Sequence, residues 1–179
     1  MAAKGPGRSR VALTGTPGVG KTTLAAIAAE DGWTVVDVKA WAKAEGCVVG
    51  YDEDDQAAVI DVKKLARRMP DGERLLFEGH LGHLLPVDVC WVVRCDPRTL
   101  RRRLEARGYK PAKVRENLEA EALDLILQEA LDAVPRVVQR DGTRRSPQAL
   151  YKAFADAGLG AAKADDLEPV DWSDELPIA

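Results

Sequence analysis

The sequence predicts an α/β fold with three layers, in which helices cover both faces of a five-stranded parallel sheet. Short β-rich segments alternate with helical segments along the chain, and such alternation favours right-handed β-α-β crossovers. One segment, around Trp91, is apolar at almost every position, as expected of a strand that is buried on both faces. A glycine-rich turn also links the first predicted strand to the first predicted helix, and this strand–loop–helix arrangement is a supersecondary motif typical of such folds.

Each predicted element has its own signal in the sequence. Strands are expected where β-branched and apolar residues cluster between turn residues, at 11–14, 34–38, 74–77, 87–94 and 135–139. Helices are expected where apolar residues recur every three to four positions, at 21–30, 40–45, 62–69, 97–107, 111–133 (one or two helices) and 147–157. The last helix has Ser146 as its cap, and the buried stripe of 111–133 comprises Leu118, Ala122, Leu125, Ile126 and Leu131. The segment 48–61 has little periodicity and an acidic cluster at 52–55, so a loop is predicted there.

The turn after the first strand, GTPGVGKT at 15–22, matches the pattern G-x-x-x-x-G-K-[ST] at every fixed position. Its glycines let the backbone wrap around a phosphate with the N–H groups turned inward. The helix that follows directs its N-terminal donors and partial positive charge at the same anion. Lys21 adds a mobile cation for the outer phosphates, and Thr22 offers a hydroxyl to Mg²⁺. The stretch therefore predicts a site for the phosphates of a nucleotide.

The bulk composition is that of a globular protein of one domain, with 179 residues, 46% of them hydrophobic and 31% charged. A net charge of −3 argues against a generally nucleic-acid-binding surface. The three cysteines have neither a disulfide framework nor metal-type spacing, so a reducing compartment is expected. No apolar run approaches the roughly 20 residues of a membrane span. We expect a flexible leader at 1–9, one domain at 10–157 and an acidic tail at 158–179.

Polar residues follow the predicted strand 74–77 at its carboxyl end, where α/β sheets bind ligands. Mg²⁺ prefers oxygen ligands and keeps several waters, so Thr22, Glu78 and the phosphates form a typical partial set, partly through water. His80 is expected to orient a water molecule or a phosphate. His83 is interpreted as a helix-face or packing residue, and zinc is not expected because no cysteine or carboxylate completes a site with recognisable spacing.

A second group of candidate residues lies in the basic segment 98–115. Arg103 and Arg107 are one helical turn apart and share a face. Arginine both clamps phosphoryl oxygens and stacks on bases, and these two directly precede the Gly108–Tyr109 break, where a movable lid could hinge. Arg98, Arg101 and Arg102 are interpreted as a solvated helix face.

The acidic tail has six Asp or Glu residues between 165 and 175 against Lys163 alone. Trp172 and Leu176 are its large apolar side chains. Two interpretations stay open at this point, namely disorder of the tail or docking through Trp172.

Four motifs resemble a known family when they are taken in order. They are GTPGVGKTT at 15–23, GYDE at 50–53, EGHL at 78–81, and RLEARGY followed by KVRENLEAEAL at 103–109 and 113–123. Together they resemble the adenylate kinase isoenzyme 6 family, which includes the coilin-interacting nuclear ATPase. The form EGHLGHLLP and the DWS element near the tail are similar to its archaeal branch, and the resemblance covers residues 10 to 157.

This resemblance implies a P-loop nucleoside monophosphate kinase fold with a monophosphate-binding region at about 38–60 and a short lid at about 106–116. The implied catalytic residues are Lys21, Glu78, His80 and Arg107, with Thr22 and Glu78 at Mg²⁺. The implied nucleotide-binding residues are Gly15, Pro17, Gly18, Val19, Gly20, Lys21, Thr22, Thr23, Arg103, Arg107 and Thr143. The implied AMP-binding residues are Lys43, Tyr51 and Asp52. Arg103 would lie against the adenine, and the loop 141–143 would border it. Lys43 stands where relatives often carry arginine and lacks the bidentate fork.

The implied activity is Mg²⁺-dependent adenylate kinase chemistry, in which ATP and AMP give two ADP, together with ATPase activity. The resemblance also implies a role in small ribosomal subunit maturation, with a platform ribosomal protein and the immature small subunit as partners. Two alternatives stay open: an ATP-hydrolysing assembly factor with little AMP kinase activity, and a kinase of another small acceptor. The expected location is cytoplasmic, or nuclear for a eukaryotic source.

Overall fold

The computed structural model describes residues 8–52 and 57–175, and within these ranges a parallel sheet of six strands forms the centre of the fold. The strand order is β2-β5-β1-β6-β7-β8, and every pairing is parallel. A separate antiparallel pair is formed by β3 and β4. The strands are β1 (Ser9–Thr14), β2 (Thr34–Asp37), β3 (Val48–Asp52), β4 (Ala57–Ile60), β5 (Arg74–Glu78), β6 (Val89–Arg94), β7 (Val137–Asp141) and β8 (Asp166–Leu167).

Helices cover both faces of the sheet, which confirms the three-layer prediction. They are α1 (Lys21–Glu30), α2 (Val38–Ala44), α3 (Val62–Ala66), α4 (Pro97–Ala106), α5 (Pro111–Ala122), α6 (Leu125–Ala133) and α7 (Pro147–Ala157). Short 3₁₀ turns follow at Gly82–Leu84 and Ser173–Glu175. As expected, Ser146 caps α7 by accepting a hydrogen bond from the Ala149 N–H. Within the described part of the chain, no helix is both long and apolar enough to cross a membrane.

Two hydrophobic clusters lie on opposite faces of the sheet because successive side chains of a strand alternate between faces. Along β6, Trp91 and Val93 belong to one cluster, whereas Cys90 and Val92 belong to the other. The first cluster includes side chains of α1, α4, α5 and α7, and the second includes side chains of α2, α3 and α6. All six residues of β6 are buried, as predicted for the most apolar strand.

The number of strands is one correction to the prediction, because the sheet has six strands rather than five. The sixth, β8, comes from the acidic tail and pairs with β7 through Val138–Asp166 and Gln139–Leu167. A strand of two residues has no periodicity to detect, and backbone pairing rather than side-chain pattern creates it. Residues 1–7 of the expected leader, and Leu176 of the tail, lie outside the described residues.

The segment predicted as a loop at 48–61 is a second correction, because it contains the antiparallel pair β3–β4. The register shifts between Val48 and Gly50, and this bulge breaks the alternation by which a strand is recognised. Several apolar side chains of the pair are exposed, with 62% exposure for both Val49 and Tyr51. Most of the predicted acidic cluster, at 53–55, lies outside the described residues.

The segment 111–133 forms two helices, α5 and α6, because Asp124 interrupts it with a left-handed backbone (φ 57°). This turn rotates the second helix relative to the first. The predicted buried stripe is therefore wrong at Leu125, which is 48% exposed, whereas Leu118 and Ala122 are buried. Leu127 and Ala130 supply the buried side of α6.

Candidate active site

The turn between β1 and α1 has the conformation expected of a phosphate-binding loop. Gly18 (φ 91°) and Gly20 (φ 111°) adopt left-handed backbone angles, and Gly20 directly precedes the first residue of α1. Gly15 is packed too closely for a side chain, because a Cβ there would lie 2.4 Å from the Val93 carbonyl oxygen. The loop therefore requires glycine for both its backbone angles and its approach to β6.

Lys21 lies over this loop at the start of α1. Its Nζ donates hydrogen bonds to the carbonyl oxygens of Gly15 (2.7 Å) and Thr16 (3.0 Å). Burial lowers the pKa of Lys21 to about 8, and the charges of Glu78 and Glu121 oppose this shift. The loop thus holds a cation close to neutral pH, where an anionic ligand would favour its charged form.

Most of the residues predicted for phosphoryl transfer surround one cavity of about 280 Å³ beside the loop. The walls come from the loop itself, from the ends of β2 and β5, and from the segment after α4. The predicted residues in this lining are Pro17, Gly18, Gly20, Lys21, Thr22, Thr23, Glu78, His80 and Arg107. Asp37, Lys39 and Tyr109 line the same cavity but were not among the predicted site residues.

Glu78 ends β5 and faces the first turn of α1. Its carboxylate lies beside the Thr22 side chain. Burial raises the pKa of Glu78, while Lys21 opposes the shift and Asp37 adds to it. A hydroxyl and a carboxylate side by side fit a cation such as Mg²⁺, which binds few protein ligands and completes its shell with phosphate and water. In the described ranges, no group of three or more His, Cys, Asp or Glu side chains could hold a metal.

The two histidines have different environments. His80 lines the cavity, and burial lowers its pKa, with Lys21 as the next contribution. His83 is buried: its Nδ1 lies 3.3 Å from the Thr14 hydroxyl, and its Nε2 lies 3.1 Å from a Glu129 carboxylate oxygen. These contacts agree with the interpretation of His83 as a packing residue.

A second cavity of about 450 Å³ also borders the loop and shares Gly18, Gly20, Thr23 and Arg107 with the first. Val19 and Arg103 line it, and Nη1 of Arg103 lies 3.3 Å from the Val19 carbonyl oxygen. Thr143 does not line it. The Thr143 hydroxyl donates to Asp141 and accepts from the Asp96 N–H (2.8 Å), and its neighbours Gly142 and Arg145 form the wall instead.

A third cavity, of about 580 Å³, lies between α2 and the β3–β4 pair and shares Asp37 and Lys39 with the first. Lys43, one of the residues implied to bind AMP, lines it. Tyr51 does not line it, and the side chain of Asp52 lies outside the described residues. The cavity beside the phosphate-binding loop thus shares lining residues with two further cavities.

A family model described as an AAA domain matches residues 11–124. The protein named "Putative adenylate kinase" from Archaeoglobus fulgidus is 43% identical over 169 residues, and the match covers 93% of each chain. Proteins of the same name from Methanocaldococcus jannaschii (36% identical, 93% of this chain and 94% of the other) and Pyrococcus abyssi (35%, 92% and 91%) are also similar. The chain belongs to this archaeal adenylate kinase family. It is therefore a nucleotide kinase.

The kinase is also similar in fold to solved structures of other kinases. Deoxyadenosine kinase from M. mycoides with bound dATP matches with a TM-score of 0.57 at 13% identity, covering 83% of this chain and 98% of the other. Shikimate kinase from Bacteroides thetaiotaomicron matches with a TM-score of 0.50 at 14% identity, covering 83% and 97%. Both matches confirm the α/β P-loop kinase fold.

Sequence reasoning missed a buried polar network behind the phosphate-binding loop of this kinase. Glu121 is 3% exposed and Arg94 is 2% exposed, and Nε of Arg94 donates to Glu121 over 2.8 Å. In the sequence, Glu121 is one of several acidic residues in a polar helix and resembles a surface charge. Arg94, at the end of an apolar strand, was the only signal that a buried carboxylate partner was needed.

Proposed function

We propose that this nucleotide kinase is an adenylate kinase that transfers the terminal phosphoryl group of ATP to AMP and yields two ADP. The observation that carries the proposal is the arrangement of the three cavities. The second cavity is lined by residues of the phosphate loop together with Arg103 and Arg145, and the third, which contains Lys43, shares Asp37 and Lys39 with the first cavity. Since both cavities share lining residues with the first, a donor and an acceptor nucleotide could each direct their phosphates into the first cavity.

The donor side has the features that a purine triphosphate requires. Glycine N–H groups and the N-terminus of α1 favour phosphate, and Lys21 adds a cation for the outer phosphates. Arg103 and Arg145 present planar guanidinium groups in the second cavity, where they suit a base face. The archaeal relatives named as adenylate kinases support adenine as that base.

The acceptor side combines an apolar wall with a cation. Val48, Ala40 and Ala58 line the third cavity beside Lys43. Such a lining suits a flat base with a phosphate at its end. Lys39 and Asp37, which line both the third and the first cavity, mark the position where the acceptor phosphate would meet the donor.

Catalysis in this arrangement depends on positioning and charge rather than on covalent chemistry. Lys21 and Arg107 neutralise charge that develops on the transferred phosphoryl group, and Tyr109 and Arg107 form the lid side that excludes water. Thr22 and Glu78 would hold Mg²⁺, which would supply positive charge to stabilise the phosphates. Backbone N–H groups of the loop hold the phosphates in line with the acceptor.

A second candidate activity is ATP hydrolysis. His80 lines the same cavity as Lys21 and Glu78, and its lowered pKa keeps the ring neutral at physiological pH. A neutral imidazole can accept a hydrogen bond from a water molecule and orient it toward the phosphoryl group. The resemblance to the isoenzyme 6 family supports this activity and a role in small ribosomal subunit maturation through a platform ribosomal protein in the cytoplasm.

The ion pairs of the acidic tail affect how the tail could bind such a ribosomal protein. Asp166, Glu168 and Glu175 form ion pairs with Arg140, Arg145 and Arg98 of the same chain. These acidic side chains are thus less available to a basic ribosomal protein than their sequence indicates. A pull-down against ribosomal proteins in the presence of ATP or ADP tests the partnership, and the absence of nucleotide-sensitive capture would count against it.

Coupled assays with ATP, with and without AMP, separate transfer from hydrolysis. We expect AMP to be consumed and ADP output to rise when AMP is added. We expect Lys21→Ala to abolish both activities, because it removes the cation of the loop. ADP output that is independent of AMP would overturn the adenylate kinase proposal in favour of hydrolysis. Normal turnover in Lys21→Ala would contradict the site itself.

A further inference from the structure

The phosphate-binding loop is attached to a buried carboxylate that is 105 positions away in the sequence. The Thr16 hydroxyl donates a hydrogen bond to one carboxylate oxygen of Glu121. The other oxygen accepts from Nε of Arg94 (2.8 Å) and from the Cys95 N–H (3.0 Å). Thr16 is itself 1% exposed, so this contact is shielded from water. A hydrogen bond to a buried carboxylate is worth more than a neutral one at the surface.

Glu121 has a fixed position because its partner Arg94 is held on every side. The Arg94 guanidinium also donates to Gln139 Oε1 and to the Glu121 carbonyl oxygen, each over 2.8 Å, and to Asp124. Because so many donors of Arg94 are engaged, its guanidinium holds the Glu121 carboxylate in one orientation. The contact point offered to Thr16 is therefore rigid.

Thr16 connects this rigid point to the cation of the site. The Thr16 carbonyl oxygen accepts hydrogen bonds from Lys21 Nζ (3.0 Å) and from the Val19 N–H (3.4 Å). Through these two bonds, a shift of Thr16 would move both the loop backbone and the ammonium group. The charge of Glu121 also raises the pKa of Lys21.

Helix α5 carries Glu121 in its last turn and begins at Pro111, just after the cavity-lining residues Arg107 and Tyr109. One helix thus links the lid side of the cavity to the floor of the phosphate loop. We propose that Glu121 is a positioning residue that holds the phosphate-binding loop in its ATP-binding shape through the Thr16 hydroxyl. The inference rests on the proposed function, since it requires ATP phosphates to bind at this loop.

Thr16→Val tests the inference most directly, because it removes the hydroxyl, keeps the shape and leaves the Arg94–Glu121 pair in place. We expect the Kd and KM for ATP to rise about tenfold, from the loss of a hydrogen bond to a buried charge. The KM for AMP should change less than about twofold, since the acceptor cavity does not contact Thr16. Thr16→Ser keeps the hydroxyl and should restore wild-type ATP affinity.

Thr99→Val is the matched control. It makes the same change of hydroxyl to methyl on α4, where the Thr99 hydroxyl accepts a bond from Arg102 at the surface. Its ATP affinity should equal that of the wild type. Glu121→Gln combined with Thr16→Val completes a double-mutant cycle, and the two effects should be less than additive because they break the same contact.

The outcomes separate a positioning role from a purely structural one. If Thr16→Val lowers the melting temperature while the folded protein binds ATP like the wild type, the inference is overturned. Equal ATP affinity in Thr16→Val and Thr16→Ser would also overturn it. If the wild-type protein does not bind ATP, or Lys21→Ala binds it unchanged, the proposed function fails instead.

Discussion

The guanidinium carbon of Arg94 lies 5.0 Å from the centroid of the Trp172 ring. This contact joins the acidic tail to the buried network that ends at Thr16, because Arg94 is the ion-pair partner of Glu121. The tail also adds β8 to the sheet through Asp166 and Leu167. In the described residues, up to Glu175, the tail is therefore part of the kinase fold.

Trp172→Ala should destabilise the protein by about 1 kcal/mol, because it removes a cation–π contact with a desolvated guanidinium. Urea unfolding measures the change. Trp172→Phe, which keeps an aromatic face, should lose less stability than the alanine variant. An alanine variant that is as stable as the wild type would show that the ring contributes nothing to the fold.

Gly15→Ala should destabilise the protein by more than about 2 kcal/mol, because its Cβ overlaps a backbone oxygen that cannot move aside. The overlap is with the Val93 carbonyl, 2.4 Å away. Gly46→Ala is the control, since Gly46 also has a positive φ (62°) but has no atom within 4 Å of its Cβ position. Chemical denaturation of both variants compares the cost of a positive φ alone, in Gly46→Ala, with the cost of a positive φ and a Cβ overlap together, in Gly15→Ala. Equal losses would contradict the close approach of Gly15 to β6.

The pKa of Lys21, which burial lowers to about 8, predicts a pH limit on ATP capture. As the pH rises through this value, the free protein loses a positive charge, so kcat/KM for ATP should fall. Bound phosphate favours the charged ammonium, so kcat itself should hold to higher pH. Initial rates over the alkaline range measure both profiles. In Lys21→Arg the guanidinium stays charged, so any activity that this variant retains should not decline at alkaline pH. If the variant declines as the wild type does, the decline comes from the titration of another group.

The same pKa also gives the sign of a stability change. Below about pH 8, native and unfolded chains both carry the Lys21 proton, and the native state bears the full cost of the buried charge. Between about 8 and the ordinary value of 10.5, the unfolded chain binds more protons than the native chain. This contribution therefore makes the protein more stable as the pH rises through that window. Denaturation of the wild type and of Lys21→Met at several pH values isolates this contribution. A difference in unfolding free energy between the two proteins that does not change with pH would contradict the lowered pKa of Lys21.

His80→Ala should reduce ATP hydrolysis in the absence of AMP by about a hundredfold or more, since one general acid–base group contributes roughly 10²–10⁴-fold. ATP binding should be retained, because the phosphate contacts of the loop stay intact. Calorimetric titration beside a turnover assay measures both quantities. His80→Gln, which keeps hydrogen-bonding groups, should retain more hydrolysis. Unchanged hydrolysis in the alanine variant would exclude His80 from orienting water.

Local signals in the sequence were sufficient for much of the fold. The phosphate loop was recognisable because its glycines, Lys21 and Thr22 act through backbone geometry and spacing over eight residues. Strand β6 was recognisable because burial on both faces requires an apolar residue at every position. The grouping of Glu78 and His80 beside the loop followed from the parallel sheet, in which the carboxyl ends of neighbouring strands meet at one edge.

Other features had no local signal. The pair β3–β4 was predicted as a loop because its bulge breaks the alternation and its apolar side chains are exposed. The resemblance implied that the loop 141–143 borders the adenine; the Thr143 hydroxyl is bonded to Asp141, whereas Gly142 and Arg145 line the second cavity. Which residue of a loop faces a cavity depends on contacts that the loop makes elsewhere.

The sequence by itself determined that a parallel α/β sheet carries a phosphate-binding loop with Lys21, Thr22, Glu78 and Arg107 available near it. These features depend on short-range periodicity and on fixed spacing. Only the tertiary structure decided that the tail completes the sheet and that Glu121 lies beneath the loop. The physical reason is that a buried carboxylate is tolerated only where distant donors converge on it, and here Arg94 and Thr16 converge from 27 and 105 positions away.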